Sequence, residues 1–242
     1  MGETPLECLN RFKAQNEAFS TLPMTYAGRL DPLAEGVLLV IAGEIDEEEK
    51  KSLMYLPKKY VVEIVFGMST DSGDMLGLVN SPISNPLFSE EELIKVINDS
   101  QKITKMQYPA FSSKTVLGKP LWQYTREGEN VEAPIKEVKI YSLEITKRFS
   151  ISAQDFLEKI KHNVSLVSGD FRQEKIIASW EKALGQSEFI FNGVTISATV
   201  SSGTYMRVLA FEIGKRLSVP ALALSICRTS VGEYKIEDSK EF

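Results

Sequence analysis

Asp31 is the residue best placed to do chemistry in this 242-residue chain, because of what surrounds it. It lies in Ala27-Gly28-Arg29-Leu30-Asp31-Pro32-Leu33-Ala34-Glu35-Gly36-Val37-Leu38-Leu39-Val40. Gly28 can adopt backbone angles that other residues avoid. Pro32 fixes its own φ and pushes Asp31 toward an extended conformation. Gly36 breaks the backbone again, and Val37 to Ile41 reads as a buried strand. A carboxylate in a stiff loop beside such a strand has two readings. One is a nucleophile or base with a fixed direction of approach. The other is an Asp that merely caps a turn, ordinary chemistry for Asp before Pro.

The wording of the stretch separates the two. Gly-x-Leu-Asp-Pro-Leu-Ala-x-Gly-Val-Leu resembles, without interruption, the catalytic motif of the TruB family of pseudouridine synthases. The resemblance implies that Asp31 is the catalytic residue. Lys58-Lys59-Tyr60, an apolar run to Phe66, and Gly67-Met68-Ser69-Thr70-Asp71 are similar to the family's second motif. That likeness implies that Tyr60 stacks on the target base; a strand residue that simply packs is the plainer reading. Ser201-Ser202-Gly203-Thr204-Tyr205-Met206-Arg207-Val208-Leu209-Ala210 resembles the third motif. It implies that Arg207 pairs with Asp31, keeping the carboxylate ionised and oriented, and that Tyr205 lies near the base. Ile226-Cys227-Arg228-Thr229-Ser230-Val231-Gly232 resembles the closing motif, with Ile226 as a wall of the base pocket.

Substrate contact is expected from Tyr26, Lys59, Lys114 and Arg126 as well. The family commonly places Gly-His-Thr before the glycine of its Asp motif, whereas this chain has Thr25-Tyr26-Ala27. Tyr26 can still stack on a base or donate a hydrogen bond. Lys114, Lys119 and Arg126, interleaved with Trp122 and Tyr124, suit phosphate and base contact. A solvated loop would carry the same charges.

These residues need elements to hold them. Thr4-Pro5-Leu6-Glu7 opens a helix with a capping box and proline at the first position. Asp46 to Lys51 reads as a solvated helix face. Lys58 to Gly67 is a strand by its β-branched and aromatic content. Asp71 and Asp74 lack the spacing of a calcium loop and read as a turn. Ser89-Glu90-Glu91-Glu92, then Leu93, Val96 and Ile97, predicts a capped amphipathic helix. Lys136 to Lys147 and Phe189 to Val200 alternate as half-buried strands do. Between them, residues 148–184 read as a helical insertion. One helix opens at Ser152 with Phe156, Leu157 and Ile160 on a face, and a second runs from Gln173 through Trp180 to Leu184.

A chain 43% hydrophobic and 25% charged is ordinary for a globular protein, large enough for one domain carrying an insertion. No apolar run reaches membrane-span length, and no signal-peptide pattern opens the chain. Cys8 and Cys227 are too few for a disulfide framework and read as reduced thiols in a cytoplasmic protein. His162 is the only histidine, which argues against His-based triads and His-rich metal sites. A net charge of −5 requires that any nucleic-acid surface be a local basic face.

The fold class expected is α+β: by resemblance, the pseudouridine synthase fold, a large mixed, mainly antiparallel sheet with flanking helices. The expected organisation is a single catalytic domain over residues 1–242, without the PUA domain that many relatives carry and without the Lys-Pro lead-in strand. The activity implied is isomerisation of a uridine in RNA to pseudouridine, at the T-loop uridine of tRNA, conventionally position 55. No cofactor or metal is implied. The partner is the tRNA T-arm, and the protein is expected to be a monomer. The competing reading is an RNA-binding protein that remodels tRNA without a catalytic requirement; the joint presence of Asp31, Tyr60 and Arg207 speaks against it.

Overall fold

Capping chemistry starts the first helix, α1 (Pro5–Gln15). The Glu7 amide donates to Thr4 Oγ1 at 3.2 Å and the Thr4 amide donates back to Glu7 Oε2 at 2.6 Å, the reciprocal box read from the sequence. The computed structural model describes residues 1–81, 83 and 86–240. After α1 come β1 (Met24–Tyr26), β2 (Ala34–Gly36), β3 (Val40–Ala42), α2 (Glu47–Tyr55) and β4 (Lys58–Phe66). Then follow α3 (Glu90–Ser100), β5 (Lys105–Gln107), β6 (Thr115–Val116), β7 (Lys119–Pro120), α4 (Leu121–Glu127) and β8 (Ile135–Glu137). The chain continues through β9 (Ile140–Ser152), α5 (Ala153–Ser165), α6 (Gln173–Leu184), β10 (Ile190–Val200), α7 (Met206–Arg216), β11 (Ala221–Val231) and β12 (Tyr234–Lys235).

The main sheet runs β12-β11-β4-β10-β9 with every neighbouring pair antiparallel. β2 adds a parallel edge, Ile226 opposite Ala34 and Arg228 opposite Gly36. The architecture is therefore α+β with a mixed, mainly antiparallel sheet, as expected. β1 and β3 form a separate hairpin, Tyr26 opposite Val40, and the loop carrying Asp31 is its long connection.

Alternation along the strands sends side chains to two cores. On one face Tyr60, Val62, Ile64, Ile196 and Ala198 meet Leu93 and Ile97 of α3 and Leu209 and Ile213 of α7. On the other, Val65, Phe191 and Leu222 meet Phe156 and Ile160 of α5 and Ile176 and Trp180 of α6. Phe156 meets Trp180 at a tilt and Phe191 edge-on, with ring centroids 5.2 and 5.5 Å apart. Each such buried aromatic contributes roughly 1.5–3 kcal/mol. Trp180 also donates its indole N–H to Met75 O at 3.2 Å, tying α6 to the loop after β4.

Three expectations need correction. Val37 to Ile41 is not one strand: only Val40 onward pairs in β3. Val37 is buried, but its carbonyl is taken by the Arg228 side chain instead of a ladder. Lys136 to Lys147 divides in two, β8 pairing with β5 and β9 with β10. Residues 148–152 are strand and not helix, because β9 stays paired with β10 as far as Ser152. The two helices that follow do lie where the pattern placed them, with Ser152 accepting from the Asp155 amide as N-cap. Cys8 and Cys227 are free and half-buried, and burial pushes both thiols up. No helix among the described residues is long and apolar enough to cross a membrane.

Candidate active site

Arg207 occupies the second position of α7, where a cation opposes the helix dipole and needs nearby carboxylates to balance it. Asp31 supplies the first. Arg207 Nε donates to Asp31 Oδ2 at 2.8 Å and Nη2 to Oδ1 at 2.9 Å, a planar bidentate pair. Asp74 supplies the second, its Oδ2 lying 3.5 Å from the same Nε. The remaining donors are fixed as well: Nη1 to Ser72 O at 2.7 Å and Nη2 to Phe111 O at 3.2 Å. Burial alone would lower the guanidinium, but the charges of Asp31 and Asp74 outweigh it and hold it above its ordinary value. Arg207 is 3% exposed and Asp31 30%, so the carboxylate is the member of the pair open to a substrate.

The Asp31 loop is held by main-chain contacts. Gly28 and Gly36 take φ of 90° and 100°, in the region that favours glycine. Arg228, fully buried, reaches across from β11. Its Nε donates to Val37 O at 2.7 Å, Nη1 to Arg29 O at 3.2 Å and Nη2 to Gly28 O at 3.3 Å. Both flanks of Asp31 are therefore pinned to the sheet by one guanidinium.

Above this pair opens a cleft of about 1020 Å³. Tyr60 and Ile226 lie against its floor, both buried, and Tyr205 and Tyr26 stand on its walls. The Tyr205 ring meets Tyr108 edge-on at 5.8 Å. Burial pushes the Tyr205 hydroxyl up to about 12, with Asp31 adding to the rise. Burial also raises Tyr60, against the pull of Arg228. Both phenols stay neutral at physiological pH and present intact aromatic faces. Lys114 and Arg126 line the rim. In all, eight Lys and Arg side chains line the cleft against three Asp, which gives a local basic surface on an acidic chain.

Lys59 stands apart. Lys58 and Tyr60 are buried on one face of β4, and the exposed Lys59 between them points to the other. Its place in the cleft is taken by Lys58, whose ammonium donates to Met54 O and Leu56 O at 2.6 and 2.7 Å. Burial, aided by repulsion from Arg228 and Lys136, brings Lys58 down to about 8. Arg126 is in the cleft but already engaged: Nη2 pairs with Asp170 at 2.5 Å. Lys119 is likewise paired with Glu127 and Glu129.

Two more residues shape the site without a local sequence signal for that role. Asp74 was read as part of a turn, and the turn exists: Ser72 Oγ and the Leu76 amide donate to its Oδ1 at 2.6 and 2.9 Å. Its approach to Arg207 is a long-range contact with no local signal. Burial pushes the Asp74 carboxyl up, opposed by Arg207. Arg228 lay in the closing motif without a role.

Residues 17–171 match the N-terminal domain of TruB family pseudouridylate synthases. This chain belongs to the TruB family. It is 31% identical over 214 residues to tRNA pseudouridine synthase B of Caldanaerobacter subterraneus subsp. tengcongensis, covering 88% of this chain and 61% of that protein. It is 29% identical over 219 residues to tRNA pseudouridine synthase B of Malacoplasma penetrans, covering 90% of this chain and 76% of that protein. The chain thus spans about three fifths of the length of the first of these relatives. Two solved structures share the fold. A Cbf5–Nop10–Gar1 complex matches with a TM-score of 0.56 at 18% identity, over 97% of this chain and 47% of that one. An H/ACA RNP bound to a substrate RNA containing 2′-deoxyuridine matches with a TM-score of 0.52 at 17% identity, over 97% and 45%.

Proposed function

We propose that this chain isomerises a uridine in RNA to pseudouridine, acting on the T-loop uridine of tRNA, position 55. The observation that carries the reading is the Asp31–Arg207 pair at the floor of a basic, tyrosine-walled cleft in a TruB family chain. The reaction breaks the N-glycosidic bond, turns the base and joins its C5 to the sugar; one proton leaves C5 and one is gained at N1. Atoms and electrons balance without a cofactor.

Each group then has a role. A uridine leaves its stack to enter the cleft. Tyr60 and Tyr205 hold the base by their faces, and Ile226 closes the pocket. Asp31, ionised and aimed by Arg207, attacks the sugar or the ring. Lys114 and Arg126 meet phosphates, the sequence-independent part of RNA affinity. Catalysis resides in one domain, to which α5 and α6 add a helical hairpin.

The test is incubation of the purified chain with an unmodified tRNA transcript, followed by mapping of pseudouridine. Product at the T-loop position is expected. Stoichiometric binding with no pseudouridine would favour an RNA-binding protein, and product elsewhere would move the target.

A further inference from the structure

Arg172 enters the cleft from the loop between α5 and α6, and nothing in the proposed reaction calls for an arginine there. Its backbone is left-handed at φ 66°, a conformation a non-glycine residue keeps only when its surroundings impose it. The imposing contacts are visible. Gln173 donates to Val167 O and Gly169 O at 3.0 and 2.7 Å and accepts from the Phe171 amide at 2.9 Å. The loop is stiff, and it aims one side chain.

That side chain touches two loops. Its Nη1 and Nη2 lie 2.8 and 3.4 Å from the Asp71 carboxylate. Its guanidinium sits 4.4 Å from the centre of the Phe111 ring. These are the two loops whose carbonyls, Ser72 O and Phe111 O, hold Arg207. Asp71 also accepts from the Leu78 amide at 2.8 Å, closing the turn that carries Ser72 and Asp74. The ion pair is 21% and 28% exposed, and it bridges loops instead of belonging to either core, so what it fixes is the placement of those loops.

We infer that Arg172 is a positioning residue, a second anchor on the two loops that hold Arg207, through which the α5–α6 hairpin sets the orientation of the Asp31–Arg207 pair. The inference rests on the uridine isomerisation proposed above.

Arg172→Gly tests it, since glycine favours the left-handed backbone and removes the side chain without imposing strain. Single-turnover pseudouridine formation at saturating tRNA transcript is measured beside filter binding and thermal unfolding. The expected result is a rate lower by about 10²-fold, the scale of a misplacement of roughly 1 Å, at unchanged RNA affinity. A wild-type rate overturns the inference. So does weakened binding with the saturating rate intact, which would make Arg172 an RNA contact. Phe111→Leu keeps the carbonyl and deletes the ring; added to Arg172→Gly it should cost little more, and fully additive losses overturn the shared anchor. If Arg172→Gly fails to fold, Phe111→Leu alone decides: a slower rate at unchanged affinity supports the anchor, and an unchanged rate overturns it. Wild-type chain in the same assay keeps the two readings distinct. No product from the wild type refutes the isomerase, whereas equal product from wild type and variant refutes only the anchor.

Discussion

Two of the arginine–aspartate pairs at this cleft differ sharply, Arg207–Asp31 at 2.8 Å and Arg126–Asp170 at 2.5 Å. Their chemistry is the same and their surroundings are opposite. Arg207 is 3% exposed, with two backbone carbonyls and a second carboxylate taking up the rest of its guanidinium. Arg126 is 38% exposed and Asp170 73%, and among the described residues the arginine's next neighbour beyond Asp170 is the Trp122 ring, 6.0 Å away. Breaking a buried pair costs about 3–5 kcal/mol because it strands a charge. An exposed pair is worth about 0–1 kcal/mol. The inner pair is therefore a fixed tool. The outer pair is exchangeable, and a phosphate can displace Asp170 as the partner of Arg126.

The largest effect expected is at the inner pair. Asp31→Asn keeps the size but removes the negative charge and the nucleophilic oxygen. Product formation in single turnover should fall by at least ~10⁴-fold, a barrier higher by about 5.5 kcal/mol. RNA affinity by filter binding should hardly move. Full activity would remove Asp31 from the chemistry, and equal loss of binding and activity would make its role structural.

Arg207→Lys comes next. A lysine keeps the charge but cannot span both Asp31 oxygens while also reaching Ser72 O and Phe111 O. The rate should fall about 10²-fold, the size of losing one preorganised charged donor. A lysine variant with the wild-type rate would show that charge alone suffices and that the bidentate geometry is incidental.

The smallest effect belongs to the outer pair. Asp170→Asn removes the competing charge while the carbonyl of residue 170 still accepts from Arg126 Nη1, so RNA affinity should rise by up to about 5-fold. The logarithmic salt dependence of binding should steepen by up to about one phosphate contact. Affinity that stays flat or falls would mean that Asp170 does not compete with RNA, and the contrast between the pairs would lose its functional meaning.

The inner pair was legible in the sequence and the outer one was not, for a physical reason. Asp31 sits in a turn bounded by Gly28 and Pro32 that marks it locally, and its pairing with Arg207 is what the resemblance of the two motifs to the family implies. Arg126 also carries a local signal, the basic and aromatic alternation, but its partner Asp170 comes from a loop with no periodicity. Helix starts at Thr4, Ser89 and Ser152 were readable because a cap is satisfied within one turn. Val37 was misassigned because apolarity reports burial, not which group takes the backbone hydrogen bonds. Lys59 was chosen over Lys58 although strand parity sends neighbours to opposite faces, and Tyr60 already marked the inner one. Asp74 escaped because a turn explains it locally, while its approach to Arg207 exists only in three dimensions.

Arg228 holds the Asp31 loop by oxygens that every residue possesses, those of Gly28, Arg29 and Val37. The grip is blind to side-chain identity, so exposed positions in the loop are free to vary. Arg29 is one of them: it faces the cleft, donating to Ser113 Oγ at 2.9 Å and lying 5.9 Å from the centre of the Tyr26 ring. The backbone path itself admits no such freedom. At Gly36 an added Cβ would lie 2.2 Å from Arg228 O, on a φ of 100°. What the loop offers to an incoming nucleic acid can therefore drift from one descendant to the next while the carboxylate it carries stays in register.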